Sequence, residues 1–351
     1  MKISVVVPVY NGEGTIASAL ESVFAQRFVG SFEVIVVNDG STDNTHRVLA
    51  SFGDRIHIVD QHRQGVAAAR NAGIRAAAGE FVALLDADDT WTEDKLERMV
   101  PVLEQNPTVV AAFSDAVQVD TDDEIVLSYF VPPHQAHSPT LEDMLSDIWK
   151  CLPSASIVRR DTLIEIGGFP EEFKAEDWGG EDDIAFLMIR ERGEIAFVPD
   201  KLTRYHPPDF TQRLAKRIHP SDCNNKTQLG FEDPARYFGG KRVFAKLIHE
   251  RFGARGRKLA DLAIETAAQE LVSLGMVALQ RGDRRFARLC YMSSISSRPL
   301  KWKTYTRLLW ALLPRSMTRV LCLALSTRMV RSLSGPPLLE ELPHRSGELI
   351  S

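Results

Sequence analysis

Residues 3–12, ISVVVPVYNG, begin the chain with a run of valine and isoleucine that stops at a proline, a tyrosine and an asparagine. A short, continuous apolar run of β-branched residues is typical of a strand buried on both faces. Similar runs follow at residues 33–37, 56–60 and 81–85, and segments with helical spacing separate them. This alternation predicts an α/β fold with a mostly parallel central sheet flanked by helices.

Polar residues follow three of these strands at the point where each strand ends. Tyr10 follows the first strand, Asp39 the second, and Asp86, Asp88 and Asp89 the fourth. Ligands of parallel sheets bind outside the carboxyl ends of the strands, so we expect these side chains to share one cleft. Three neighbouring carboxylates repel one another unless a cation neutralises them. Mg²⁺ or Mn²⁺, held by one or two carboxylates and by substrate phosphates, fits this pattern.

Each motif taken alone also has a purely structural explanation. Asp39 and the glycine after it suit a turn that caps the next helix. Arg70, which follows three alanines, suits either a fixed cation for a diphosphate or a solvated helix surface. Acidic residues at 181–183 are favourable at any helix N-terminus. The functional interpretation therefore depends on the motifs occurring together.

Four strings together resemble the inverting family 2 glycosyltransferases, which have the GT-A fold and use nucleotide sugars. The strings are VVVPVYNGE at residues 5–13, EVIVVNDGSTDNT at 33–45, GVAAARNAGI at 65–74 and GEFVALLDADDTW at 79–91. The resemblance covers roughly residues 1–205. It implies a Rossmann-like, mostly parallel sheet and transfer of a sugar with inversion at its anomeric carbon.

The resemblance also implies roles for individual residues on the donor side. Asp86 and Asp88 would hold Mg²⁺ or Mn²⁺, and His206 is a candidate third ligand. The full set assigned to the nucleotide donor is Pro8, Val9, Tyr10, Glu13, Asp39, Arg70, Asp86, Ala87 and Asp88.

The acceptor side carries the implied general base. Asp182, which follows Glu181, occupies the position of the base in the family's Glu-Asp pair. The family often has a further Asp three residues after the Glu, where this chain has Ile184, so Asp183 stays an alternative base. The residues assigned to the acceptor side itself are Gly168, Phe169 and Trp178.

Composition narrows the classes of function. The formal net charge of −5 argues against nucleic-acid binding. Four widely spaced cysteines predict neither a zinc site nor a disulfide framework. Neither a signal-peptide pattern nor an apolar stretch long enough to span a membrane is recognisable, so we expect a cytoplasmic protein.

The C-terminal part is basic and rich in leucine. Residues 284–339 contain eleven Lys or Arg and no Asp or Glu. This pattern is typical of a segment that binds an anionic membrane, here the inner face of the cell membrane. A solvated helix face is the alternative.

We therefore expect three regions. Residues 1–220 form the catalytic domain, with a nucleotide-binding half (1–115) and an acceptor half (116–220). Residues 221–334 form a helical region that contacts a membrane surface or pairs two subunits as a homodimer, and 335–351 form a loose tail.

The expected activity is metal-dependent transfer of a sugar, most simply from a UDP-sugar, to a hydroxyl of a glycan or lipid-linked glycan. Synthesis of a bacterial capsule, exopolysaccharide or lipopolysaccharide fits this activity. Two alternatives stay open. One is transfer to a polyprenyl phosphate, which needs little help from a base, and the other is a non-catalytic scaffold that retains the GT-A fold.

Overall fold

A computed structural model describes residues 2–119, 125–127, 138–145, 152–172, 180–206, 234–280 and 284–297. The chain consists of two compact units. The first comprises residues 1–232 and 236–266, and the second comprises 233–235 and 267–351.

The described residues contain nine strands, which belong to one sheet in the first unit. In chain order they are β1 (Ile3–Val9), β2 (Phe32–Asn38), β3 (His57–Asp60), β4 (Phe81–Leu84), β5 (Thr90–Trp91), β6 (Val109–Val119), β7 (Ile125–Leu127), β8 (Ser156–Arg159) and β9 (Glu194–Tyr205).

Ten α-helices lie in the same described ranges. They are α1 (Ile16–Phe24), α2 (Thr45–Ala50), α3 (Val66–Ala76), α4 (Lys95–Gln105), α5 (Leu141–Leu145), α6 (Arg160–Glu165), α7 (Glu181–Arg192), α8 (Pro234–Arg251), α9 (Gly253–Gln280) and α10 (Arg284–Ser297).

The first half of the sheet is parallel, as the sequence predicts. The strand order is β3-β2-β1-β4-β8-β6-β9-β5, with β7 paired to β6. Val5 of β1 lies opposite Val34 of β2 and Ala83 of β4, and all these pairings are parallel. Beyond β4 the sheet becomes mixed, because β8 runs antiparallel to both β4 and β6. The α/β architecture is confirmed, with the parallel part confined to β1–β4 and the β6·β9 pair.

Helices cover both faces of the sheet, which explains why β1 is buried along its whole length. Side chains alternate between faces along a strand. Val5 and Val7 pack in one core with Leu20 of α1, whereas Val6 packs in the other core with Ile74 of α3.

Helix α3 approaches the sheet unusually closely. A Cβ atom at Gly73 would lie 2.3 Å from Cγ1 of Val6, closer than real Cβ contacts allow. Only a glycine permits this approach. The short distance brings the preceding turn of α3, which carries Arg70, next to the carboxyl ends of β1 and β4.

Helix α8 also belongs to the first unit from residue 236 onward. Its Phe244 and Ile248 pack in one apolar cluster with Ile184 and Leu187 of α7. The first turn of α7 carries the predicted base, so this cluster anchors the helix that presents it.

The second unit contains the end of α9 and all of α10. Tyr291 is fully buried there, and Ser294 Oγ donates to the carbonyl oxygen of Ala268 at 3.0 Å. A Cβ at Gly275 would lie 2.7 Å from the ring of Tyr291, so the glycine makes room for that ring. Within the described ranges, none of the helices is both long enough and apolar enough to cross a membrane.

Candidate active site

A cleft of about 520 Å³ opens at the carboxyl ends of β1, β2 and β4. This is where the sequence places the ligand, since the polar strand-end motifs converge there. Its lining includes eight of the nine residues predicted to contact the donor: Pro8, Val9, Tyr10, Asp39, Arg70, Asp86, Ala87 and Asp88.

The loops after β1 and β2 are fastened to each other. Asn11 has a φ of +52°, and its Oδ1 accepts a hydrogen bond from the Thr42 amide at 2.8 Å. Glu13, the ninth predicted donor residue, accepts two hydrogen bonds from Asn44, from the backbone and the side-chain nitrogen, both at 2.8 Å. Glu13 therefore holds the start of α2, and it is not among the residues that line the cleft.

Asp39 is buried and shapes the rim of the cleft. Its carboxylate accepts hydrogen bonds from the amides of Gln64 and Gly65 at 2.8 and 2.9 Å, and from Nε2 of Gln61 at 2.7 Å. These bonds fix the loop that leads into α3, where Gly65 has a φ of +97°. Asp39 thus connects the β2 end to the helix that carries Arg70.

Tyr10 forms an aromatic wall at the edge of the cleft. Its side chain is 37% exposed, and the guanidinium of Arg63 lies 4.1 Å from the ring centroid. A cation over a ring face is attracted by the ring quadrupole. This contact holds the tyrosine in place beside Pro8.

The acidic turn, residues 86–89, follows β4 and holds three carboxylates close together. The Asp86 amide donates to Ser154 Oγ at 3.0 Å, and the Asp89 amide donates to the Asp86 carbonyl at 3.1 Å. Burial of the carboxyl group and the charge of Asp86 raise the pKa of Asp88 to about 6, although Arg70 opposes the shift. The Asp88 side chain lines the cleft. Like charges held this close favour a bound cation.

Arg70 is 4% exposed and bridges two parts of the site. Its guanidinium pairs with Asp86 Oδ1 at 2.8 Å and with Glu181 Oε1 at 3.2 Å. Burial alone would lower the pKa of Arg70, but the carboxylates of Asp86, Glu181 and Asp182 raise it. A permanently charged arginine therefore links the acidic turn to the first turn of α7.

Helix α7 begins at Glu181, directly after Gly180, whose φ is +122°. Burial raises the pKa of Asp182 well above its usual range, the charges of Glu181 and Asp183 add to the rise, and Arg70 opposes it. A carboxylate with a raised pKa is a stronger proton acceptor when it is ionised. Asp183 lies beside it, and its amide donates to Asp182 Oδ1 at 2.9 Å.

The end of β9 joins the acidic turn. The His206 amide donates to Asp89 Oδ1 at 2.9 Å. Tyr205 lines the cleft, and its pKa is raised by burial and by the charges of Asp89, Asp88 and Asp86. In the part of the chain that the structure describes, no three His, Cys, Asp or Glu side chains are grouped as ligands for one metal ion.

A buried polar layer beneath the acidic turn was missed by the sequence analysis. Lys95 is fully buried, and its Nζ donates to Thr203 Oγ1 at 3.0 Å and to Ser114 Oγ at 3.3 Å. Burial lowers the pKa of Lys95 well below its usual range, while the carboxylate of Asp89 acts in the opposite direction. A lysine at the start of an amphipathic helix gives no local sign that it will be enclosed.

Of the three residues predicted for the acceptor side, two lie in the turn that follows α6. Phe169 is buried against Phe186, with ring centroids 6.2 Å apart, so it supports the site from below. Gly168 lies in the same turn, with a φ of +75°. Trp178 lies outside the described residues.

Comparisons with known proteins identify the family of this chain. Residues 4–167 match the model described as glycosyl transferase family 2. An uncharacterized glycosyltransferase of Rickettsia prowazekii is 35% identical over 84% of this chain and 89% of its own. An uncharacterized glycosyltransferase of Nostoc is 31% identical over 73% of this chain and 78% of its own. The chain therefore belongs to glycosyl transferase family 2 and is a transferase enzyme.

Solved structures identify the fold. Staphylococcus aureus TarS 1–349, in complex with UDP-GlcNAc, matches with a TM-score of 0.57 over 88% of this chain and 84% of that chain. The identity is 20%, so this likeness concerns the fold alone. It confirms the expected GT-A fold.

Replacing Arg70 with Met tests the bridge. The Arg70→Met variant leaves Glu181, whose side chain is 11% exposed, without its partner. We expect the free energy of unfolding, measured in urea, to fall by about 2–4 kcal/mol. This loss is smaller than the loss usually seen when one partner of a fully buried ion pair is removed, because Asp86 is partly hydrated. Arg75→Met, an exposed position on the same helix, is the control and should change stability by no more than about 0.5 kcal/mol. Equal losses in both variants would contradict the bridge.

Proposed function

We propose that this enzyme transfers a sugar from a nucleoside-diphosphate sugar to an acceptor hydroxyl, with inversion at the anomeric carbon. The observation that carries the proposal is that Arg70 forms two ion pairs, one with Asp86 and one with Glu181. They join the acidic turn with Asp86 in the donor cleft to the turn of α7 with Glu181 and Asp182. A donor-binding group and a proton acceptor thus face one reaction centre.

The proposed donor is a UDP-sugar. An Escherichia coli relative, 37% identical over 106 residues, 30% of this chain and 42% of its own, is named for its use of UDP-Glc, and TarS was solved with UDP-GlcNAc. In this chain Pro8, Tyr10 and Asp39 form the wall and rim suited to a flat base and a ribose. Arg70 supplies positive charge towards the phosphates.

The proposed cofactor is Mg²⁺ or Mn²⁺, held by Asp86 and Asp88 together with the donor diphosphate. Two carboxylates plus phosphates are a common ligand set for these cations, so three protein ligands are not required. The fit rests on the position of Asp86 and Asp88 together in the lining of the cleft. Burial, and then the neighbouring charge of Asp86, raise the pKa of Asp88. When bound, the cation would stabilise the negative charge that builds on the departing diphosphate.

Asp182 is the proposed general base. It would take the proton of the acceptor hydroxyl while the hydroxyl oxygen bonds to the anomeric carbon and the bond to the diphosphate oxygen breaks. Attack from the face opposite the leaving group inverts the configuration. Its neighbour Glu181 is held by Arg70 at 3.2 Å, which fixes the first turn of α7.

The proposed acceptor is a lipid-linked glycan at the inner face of a bacterial membrane, in cell-surface polysaccharide synthesis. The name of the Escherichia coli relative specifies a diphosphoundecaprenol-linked acceptor. Helix α10 offers a fitting surface, because Arg285, Leu289 and Met292 are exposed at i, i+4 and i+7 spacing. Basic and apolar side chains on one helical face suit the boundary of an anionic bilayer.

Asp182→Asn tests the base. We expect turnover of the UDP-sugar to fall by roughly 10²–10⁴-fold with UDP affinity unchanged, because the amide cannot accept the proton. Asp183→Asn is the matched control and should keep turnover within a few-fold. UDP release and NMR of the product's anomeric proton are the measurements. A mild effect of both variants would point to a phosphate acceptor, and a mild effect of Asp182→Asn with a severe effect of Asp183→Asn would make Asp183 the base. Retention of configuration would contradict the mechanism.

Leu289→Gln/Met292→Gln tests the membrane surface. Full-length protein should float with vesicles of phosphatidylglycerol and phosphatidylethanolamine. The double variant should lose most of that binding, because the apolar side chains that would insert into the bilayer are replaced. Val29→Gln, at a fully exposed apolar position between α1 and β2, is the control and should float like the parent. Equal flotation of all three proteins, or none by the parent, would refute this role for α10.

A further inference from the structure

Asn71, a buried residue of α3, holds the turn that follows α6 with three hydrogen bonds. Its Oδ1 accepts from the Phe169 amide at 2.8 Å. Its Nδ2 donates to the Phe169 carbonyl at 2.8 Å and to Glu171 Oε1 at 2.8 Å. Donor and acceptor of one amide group are therefore both satisfied by the same turn.

Two glycines in the turn after α6 make room for the side-chain amide of Asn71. Gly167 and Gly168 have φ values of +80° and +75°, which side chains rarely adopt. A Cβ at Gly168 would lie 2.2 Å from Asn71 Oδ1, so any side chain there would displace the amide. Phe169, the next residue, is buried, and its ring centroid lies 5.2 Å from the Arg70 guanidinium.

Asn71 directly follows the arginine that bridges the site. Arg70 contacts the acidic turn at Asp86 and the first turn of α7 at Glu181. Two consecutive residues of α3 thus hold both the donor side and the acceptor side. Helix α3 is itself seated on the sheet through the close approach of Gly73 to Val6.

We propose that Asn71 is a positioning residue that fixes the turn at residues 168–171, and through the packing of Phe169 on Phe186 also the first turn of α7 with Glu181 and Asp182, relative to the acidic turn. The inference rests on the proposed function, since it assigns Asn71 a part in the same transfer. Asn71 acts through the turn at residues 168–171 rather than by touching either substrate.

This role predicts a split between binding and turnover. Tyr10 and Asp39, which are proposed to contact the nucleoside, are held in place by contacts that do not involve Asn71. Nucleotide affinity should therefore survive the loss of the Asn71 bonds. Transfer should not, because a displacement of about 1 Å between reacting groups can cost roughly 10²-fold in rate.

The test uses a variant of nearly identical shape. Asn71→Asp keeps the acceptor for the Phe169 amide but loses both donated bonds, and it sets a carboxylate against Glu171. Asn71→Asp/Glu171→Gln restores one of these bonds with donor and acceptor exchanged. Ile74→Ala, which removes buried apolar atoms from the same helix and leaves the polar groups of Asn71 and Glu171 unchanged, is the control for general destabilisation.

Hydrogen–deuterium exchange on the full chain measures positioning without any substrate. In Asn71→Asp we expect the amides of residues 181–187 to exchange at least about tenfold faster, with β1 and β4 unchanged, and the double variant to recover at least half of the change on a logarithmic scale. Unchanged exchange at residues 181–187, or an equal increase in Ile74→Ala, would overturn the proposal.

UDP affinity and UDP-sugar turnover complete the test. Asn71→Asp should lower turnover roughly 10–100-fold while the Kd for UDP with Mn²⁺ stays within about twofold, and the double variant should regain part of the rate. A parallel loss of affinity and turnover would overturn the positioning role. If the wild type neither binds UDP nor turns over UDP-sugars, the proposed function fails, and the exchange result still decides the role of Asn71.

Discussion

The arrangement of the site depends on one buried cation between carboxylates from distant parts of the chain. Arg70 pairs with Asp86 and Glu181, residues that are 16 and 111 positions away in sequence. Removing a guanidinium from water is costly, and only well-placed carboxylates offset that cost. Because Arg70 stays charged, the acidic turn and the first turn of α7 are held at a set separation.

The sheet supplies the frame on which this interaction is built. Parallel pairing of β1 with β2 and β4 brings three strand ends to one edge, so Tyr10, Asp39 and Asp86 line one cleft. Gly73 lets α3 pack closely against Val6 of β1, and this close packing brings Arg70 next to the strand ends at that edge. Beneath the acidic turn, Ser154 accepts from the Asp86 amide and keeps the turn in register. Packing therefore positions every charge that the proposed chemistry uses.

The sequence predicted the features that local patterns determine. A strand at the start of the chain was predicted, since an uninterrupted β-branched run has only one sensible interpretation, and β1 continues through Pro8 to Val9. The donor cleft was also predicted, because strand ends follow from the strands. Features that depend on long-range pairing were not accessible. The antiparallel insertion of β8 beside β4, the enclosure of Lys95 and the bonds of Asn71 to Phe169 all join segments separated by many residues.

We propose that this cleft binds a nucleoside diphosphate together with a divalent cation at the acidic turn. Calorimetric titration of UDP, with Mn²⁺ and then with EDTA, into the wild type and Asp88→Ala tests it most directly. We expect UDP binding that requires Mn²⁺ and is lost in Asp88→Ala, while GDP and dTDP bind more weakly. UDP binding that is equal in all of these conditions, or absent from the wild type, would contradict it.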